Sequence, residues 1–170
     1  MKKLVYVAFA IFAFTSCQQQ KIGFIDNGKV INEYQEKKDI EEKYKVKDEA
    51  FKKRTDSIGQ AFQVEAQGFQ AKANKMSQKK AQETYEGLMQ KQQMLQQQIQ
   101  FEQQQITQAF QSEIDSIIVK VKDFVKDYGK TNGYTYILGT SEGAASVLYG
   151  KEENDLSQTI IDALNAEYTK

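Results

Sequence analysis

Histidine, tryptophan and proline are absent from this chain of 170 residues, and cysteine and arginine occur once each, as Cys17 and Arg54. Each absence removes a class of chemistry. Without histidine and with a single cysteine, there is no His/Cys metal set and no Ser-His or Cys-His nucleophile arrangement. A lone cysteine forms no disulfide within its own chain. An excess of one charge is lacking too. Twenty-three basic residues face twenty-three acidic ones, unlike the basic profile of a nucleic-acid binder. Chemistry by carboxylates alone would need a pocket, and the long thin helical segment described below offers none. No enzyme and no cofactor is expected.

The first segment reads as a targeting signal, over residues 1–16. Lys2 and Lys3 precede an apolar run from Leu4 to Phe14, which is signal-peptide length and too short to span a bilayer comfortably. Phe14-Thr15-Ser16-Cys17 then resembles a lipobox, with small residues before a cysteine that would carry lipid after cleavage. The plainer alternative is an ordinary secretory signal followed by an incidental cysteine. A thiol with no second cysteine to pair with favours lipid attachment at Cys17, and hence a membrane anchor. Loss of Lys2 and Lys3 leaves 21 basic against 23 acidic residues in the mature chain.

Lys21 to Asp26 reads as a short strand, with Asp26 or Asn27 capping a helix that puts Val30, Ile31 and Tyr34 on one face. From Gln35 to Tyr128 the pattern is helical. Tyr44, Phe51, Thr55, Ile58, Phe62, Phe69 and Met76 recur at spacings of three, four or seven, one side of a helix with period near 3.5. The pattern continues through Tyr85, Leu88, Leu95, Ile99, Ile106, Phe110, Ile114, Ile117, Val121, Phe124 and Tyr128. Glu65, Lys72, Gln92 and Glu102 interrupt this seam, so a weakly held coiled coil is expected. A single strand needs partners, and the next strand-like residues are Tyr134 to Leu138 and Ser146 to Tyr149, which read as a β-hairpin. The helical segment must therefore go out and return. Asn74 to Lys79 is the expected tip, with Asn74 in a left-handed helix-ending conformation and Ser77 capping the return helix. Gly129 is expected to end that helix. Asn154 or Asp155 should cap a final helix bearing Leu156, Ile160, Ile161 and Leu164. The expected fold is α+β: a small β body of three short strands, from residues 17–34 and 129–170, and a helical-hairpin arm over 35–128.

Lys21-Ile22-Gly23-Phe24-Ile25-Asp26 with Lys29-Val30, then Tyr134-Thr135-Tyr136-Ile137-Leu138, then Asp155-Leu156-Ser157 leading into Ile160-Ile161-Asp162-Ala163-Leu164-Asn165, resemble the Skp/OmpH family of periplasmic chaperones in order and kind. The resemblance implies a homotrimer whose bodies pool their strands into a closed barrel. Its three arms would surround a cavity in which unfolded outer-membrane proteins are held without ATP. It also implies the periplasm, and with Cys17 lipidated, attachment to a membrane, the inner leaflet of the outer membrane before the inner membrane. Well-studied members are strongly basic and soluble, so no lipopolysaccharide site is carried over to this near-neutral chain. The alternative is a structural or adaptor lipoprotein docking its arms onto an envelope complex. An adaptor would need a hot spot of aromatics and arginine, and Arg54 is the sole arginine.

The candidate contacts for clients are apolar residues off the seam: Val64, Met94 and Phe101. Lys72, Lys75, Lys79 and Lys80 make a basic tip, with no acid between Glu65 and Glu83. It reads either as a solvated turn or as a client-steering charge. The glutamine-dense stretch from Gln82 to Gln111 is either a plain solvated face or a surface touching many chains weakly. Asp56-Ser57-Ile58 and Asp115-Ser116-Ile117 resemble a bacterial O-glycosylation motif, three residues long and so of low specificity.

Overall fold

A computed structural model describes residues 20–141 and 143–169. Residues 1–16, read above as a targeting signal, and Cys17 lie outside the described residues. Strand β1 (Ile22–Asp26) is followed by helices α1 (Asn27–Glu33), α2 (Gln35–Ala73) and α3 (Gln78–Thr131), strand β2 (Tyr136–Thr140), a 3-10 turn (Glu152–Asn154) and helix α4 (Ser157–Tyr168). The chain divides into two compact units. Among the described residues, the body unit comprises those up to Asn32 and from Val121 onward, and the arm unit comprises Glu33–Lys120.

In the body unit, β1 and β2 pair in parallel, with Ile22 opposite Tyr136 and Asp26 opposite Thr140. Parallel strands require a crossover between them, which a tight turn cannot supply. The predicted strand from Tyr134 is displaced by two residues. Tyr134 instead ends the return helix in a Schellman arrangement. Its N–H donates to the Gly129 carbonyl at 2.9 Å and the Gly133 N–H to the Lys130 carbonyl at 3.4 Å, with Gly133 at φ +71°. Gly133 is therefore the helix terminator, and not Gly129. Gly129 is a buried residue inside α3, where an added Cβ would come within 3.3 Å of Ile137. The Tyr134 ring stacks on Tyr128 at 6.2 Å, with the Lys21 ammonium 4.0 Å from its centroid.

The expected third strand does not form. Residues 143–149 have no regular structure, and Leu148 and Tyr149 are 92% and 87% exposed. The edge of β1 away from β2 is already occupied. Phe24 bridges to Asp155, and the Leu156 N–H donates to the Phe24 carbonyl at 2.8 Å. Val147-Leu148-Tyr149 has strand propensity but no edge of β1 to join, and propensity without a partner does not make a strand. Among the described residues the body therefore has two strands in one chain.

Capping follows side-chain chemistry. Asp26 Oδ1 accepts from the Lys29 N–H at 3.0 Å and so starts α1. Asp155 Oδ1 accepts from both the N–H and the hydroxyl of Ser157, at 2.8 and 2.6 Å. The same Ser157 hydroxyl oxygen accepts the Asp26 N–H at 2.8 Å, tying the start of α4 to the end of β1. Below it Ile25, Val30, Val121, Leu156, Ile160, Ile161 and Leu164 form the buried core of the body.

Ser157→Ala removes the acceptor of a backbone N–H in a 1%-exposed position. An unsatisfied buried donor costs roughly 1–3 kcal/mol. Urea denaturation should show that loss, whereas exposed Thr159→Ala should stay within about 0.5 kcal/mol of the parent.

Candidate functional site

The arm unit is the candidate site, and its surface is set by which residues the seam consumes. In α2, Tyr44 is buried and Phe51, Thr55, Ile58, Phe62 and Phe69 are half-buried, as is Met76 in the turn. In α3, Leu88, Leu95, Ile99, Ile106, Phe110 and Ile114 are half-buried and Ile117 is buried. Tyr44 and Phe110 meet with ring centroids 5.2 Å apart. Tyr85 departs from the expected seam and is 54% exposed. Ala81, Thr84 and Leu88 hold the inward positions there, so Tyr85 sits one residue past the seam. The helices turn at Asn74–Ser77 without a left-handed residue, since Asn74 is right-handed at φ −65°, ψ −13°. Tightened i to i+3 bonds do the work instead: the Lys75 N–H donates to Lys72 at 2.9 Å and the Met76 N–H to Ala73 at 3.1 Å. Ser77 Oγ accepts the Lys80 N–H at 3.4 Å.

Two of the polar interruptions in the seam are partners in ion pairs across the hairpin. Glu65 pairs with Lys91 and Glu102 with Arg54. Lys43 pairs with Glu113 at 2.7 Å, and Glu36 with Lys120. Stepping from Glu36 to Lys43, Arg54 and Glu65 advances seven, eleven and eleven residues. From Lys120 to Glu113, Glu102 and Lys91 the chain retreats by the same steps. Seven and eleven residues are close to whole numbers of helical turns, so every rung returns to one face and the antiparallel register never slips. Exposed pairs of this kind contribute at most about 1 kcal/mol each. Their spacing therefore matters more for register than for stability.

Two rungs recruit a tyrosine. The Tyr34 hydroxyl donates to Glu36 Oε2 at 2.5 Å, where Lys120 also donates. The Tyr44 hydroxyl donates to Glu113 Oε1 at 2.8 Å, where Lys43 donates at 2.7 Å. Burial, then the bond to Glu36, pushes the Tyr34 phenol up to about 12. Burial of the Glu36 carboxyl opposes its ionisation, but hydrogen bonds from Lys120 and Tyr34 outweigh this and hold its pKa below the usual value. Lys43 and Tyr44 lower that of Glu113 likewise. Lys43 and Lys120 are raised, chiefly by the glutamates they donate to.

Val64, Met94 and Phe101 are 68%, 63% and 61% exposed, the highest values for large apolar residues on the arm. Val46, Met89 and Val119 are further exposed apolar residues on this unit that sequence reasoning passed over. Each lies off the seam, Val46 between two lysines and Met89 and Val119 one residue past Leu88 and Ile118, and that off-seam position was the available signal. Lys72, Lys75, Lys79 and Lys80 are all exposed around the turn. Ser57 and Ser116 are exposed on α2 and α3. In the body unit Ile22, Tyr136 and Leu138 are also exposed, and among the described residues the far edge of β2 has no strand beside it. Among the described residues no helix is long and apolar enough to cross a membrane.

The family model of outer membrane proteins described as OmpH-like matches residues 21–164. No curated protein matches the chain. A crystal structure of a candidate outer membrane chaperone (OmpH-like) from Caulobacter crescentus CB15 is similar in fold, with a TM-score of 0.78 at 13% identity, covering 88% of this chain and 86% of that one.

The glutamates of the two tyrosine rungs ionise more readily in the folded arm than in an unfolded chain. Their contribution is complete above the unfolded Glu value of about 4.3 and is lost as pH falls through their lowered folded values. The lysine contribution is complete below the unfolded Lys value of about 10.4 and is lost as pH rises through the raised values. Amide exchange in α2 near Tyr44, measured across pH and corrected for intrinsic rates, should show protection flat from about pH 5 to 9 and falling below about pH 4. The double variant E36Q/E113Q should lose that acid step.

Proposed function

Because the chain belongs to the OmpH-like family of outer membrane proteins, we propose that it is an ATP-independent holdase chaperone of the periplasm, which keeps unfolded outer-membrane proteins from aggregating. The observation that carries this is the arm surface. Val64, Met94 and Phe101 stand exposed on regular helix, dispersed among polar residues. A hot-spot interface concentrates aromatics and arginine. A promiscuous holder instead needs many weak contacts, none of them greasy enough to make the arms associate with one another. The basic tip would draw in clients by long-range attraction.

The working form in this reading is a homotrimer with the client between its arms. The uncovered apolar residues of the body and the open edge of β2 support it, because pooling such edges into a closed barrel removes them. Lipid on Cys17 would anchor the assembly, with the inner leaflet of the outer membrane as its place. Gln18–Lys21 are all that separate Cys17 from β1, a reach of at most about 14 Å. The body would then work against the membrane surface. Three lipidated cysteines per trimer would make attachment effectively permanent through multivalency.

The purified mature protein should behave as a trimer by light scattering, and should suppress aggregation of a urea-diluted outer-membrane barrel without ATP. A stable monomer, or no suppression, would sink the reading. In cells, Cys17→Ser should shift the protein from the membrane fraction to the soluble periplasm or stall it uncleaved, with suppression by the mature domain unchanged. Wild-type protein found soluble with a free thiol would remove the anchor.

A further inference from the structure

Charge is distributed along the arm in zones. From Gln35 to Asp56, 15 of 22 residues are charged. From Ser57 to Ala71 the only charge in 15 residues is Glu65, and from Gln92 to Gln111 the only charge in 20 is Glu102. Both of these are paired across the hairpin, with Lys91 and Arg54. The ion-pair register sets residues 57–64 of α2 opposite 92–99 of α3, a belt neutral on both helices between a charged root and the basic tip. Val64 and Met94 fall within it, and Phe101 lies on the neutral stretch of α3 just to the root side, level with Thr55.

We infer that this belt is the part of the arm that grips clients, and that what it grips are extended polypeptide segments poor in charge. The inference rests on the holdase reading above. Met94 and Phe101 are seven residues apart on one face of α3, with exposed Gln97 and Gln98 between them and Gln104, Gln105 and Gln108 beyond. A carboxamide donates and accepts, as a peptide group does, so the face can satisfy an extended backbone while the Met and Phe side chains cover apolar ones. Steps of one helical turn, about 5.4 Å, fall short of the two-residue repeat of an extended chain, about 6.6 Å. Contacts therefore drift out of phase after a few residues, and each client segment is held briefly and can slide. On α2, Gly68 lies one turn beyond Val64, and nothing stands within 4 Å of where its Cβ would be. A helix-interior glycine costs about 0.5–1 kcal/mol, and here the space it leaves is open to an approaching backbone. A charged client segment would lose hydration against the belt and meet no countercharge, so it is selected against.

Val46 and Val64 form a matched pair, 56% and 68% exposed on the same helix, one in the charged root and one in the belt. Val119 and Met94, 57% and 63% exposed, offer the same comparison on α3. A photo-crosslinking residue placed singly at each position in the full mature protein, with an unfolded outer-membrane barrel as client, should crosslink at 64 and 94 several-fold more than at 46 and 119. Raising salt to about 0.5 M, where exposed charges are largely screened, should leave that pattern unchanged. Separately, Gln97→Glu/Gln98→Glu and Gln97→Lys/Gln98→Lys should each weaken client binding by roughly tenfold, equivalent to about 1.4 kcal/mol, with helicity kept because Glu and Lys match Gln as helix formers. Uniform crosslinking alongside full suppression of aggregation would overturn the belt and leave the holdase reading standing. So would weakening by one sign of charge alone. Absence of suppression by the unsubstituted protein would overturn both.

Discussion

β1 has no neighbour in sequence with which to pair. Its partner, β2, lies beyond the whole helical segment, and the pairing is parallel over Ile22–Asp26 and Tyr136–Thr140. That requirement governs the rest. A parallel pair cannot be closed by a tight turn, so the chain between the strands must form a crossover, and the crossover here is a hairpin of long helices. Ser157 and Asp155 then close the other edge of β1, which fixes where α4 begins and leaves no room there for a further strand.

Holding long antiparallel helices in one register is a second problem, because an apolar seam with a repeating period tolerates slippage by one repeat. The four ion pairs address it by geometry more than by strength. Their order along α2 is acid, base, base, acid, with the complement on α3. A slip of eleven residues sets Glu65 against Glu102 while pairing Arg54 with Glu113, or sets Arg54 against Lys91 while pairing Lys43 with Glu102. The observed register is the one in which all four rungs carry unlike charges, so it is favoured over either slip even though each rung is weak.

Much of this arrangement was legible in the residues, and the failures have physical causes. The helices declared themselves through apolar spacing, the strongest local signal a sequence carries. Asp26 announced its cap. The third strand was misjudged because strand formation depends on an available edge, which only tertiary structure decides. β2 was placed two residues early because Tyr134 has the composition of a strand residue but is spent on ending α3. Glu65 and Glu102 looked like defects in one helix and proved to be halves of pairs in two. The repeat of Lys43, Arg54 and Glu65, mirrored by Glu113, Glu102 and Lys91, was present in the sequence, but it becomes meaningful only once an antiparallel register is assumed. The off-seam positions of Met94, Phe101 and Val64 were readable for the same reason as the seam itself: a helix leaves little freedom in where a side chain goes.

The distance in sequence between β1 and β2 has a consequence in time. Pairing them first would close a loop containing all of α1, α2 and α3, with an entropic penalty that grows with loop length and little to offset it in five residues of strand. Pairing α2 with α3 closes only the turn at Asn74–Ser77, and each further contact is local to the last. Loop-closure entropy therefore favours an order in which the arm zips from its tip downward and the two halves of the sheet meet last. In that order β1, made before the arm, would be among the last elements to fold. Until then β1 would be a short apolar segment with both edges open, in need of the same protection that the finished molecule is proposed to give to others.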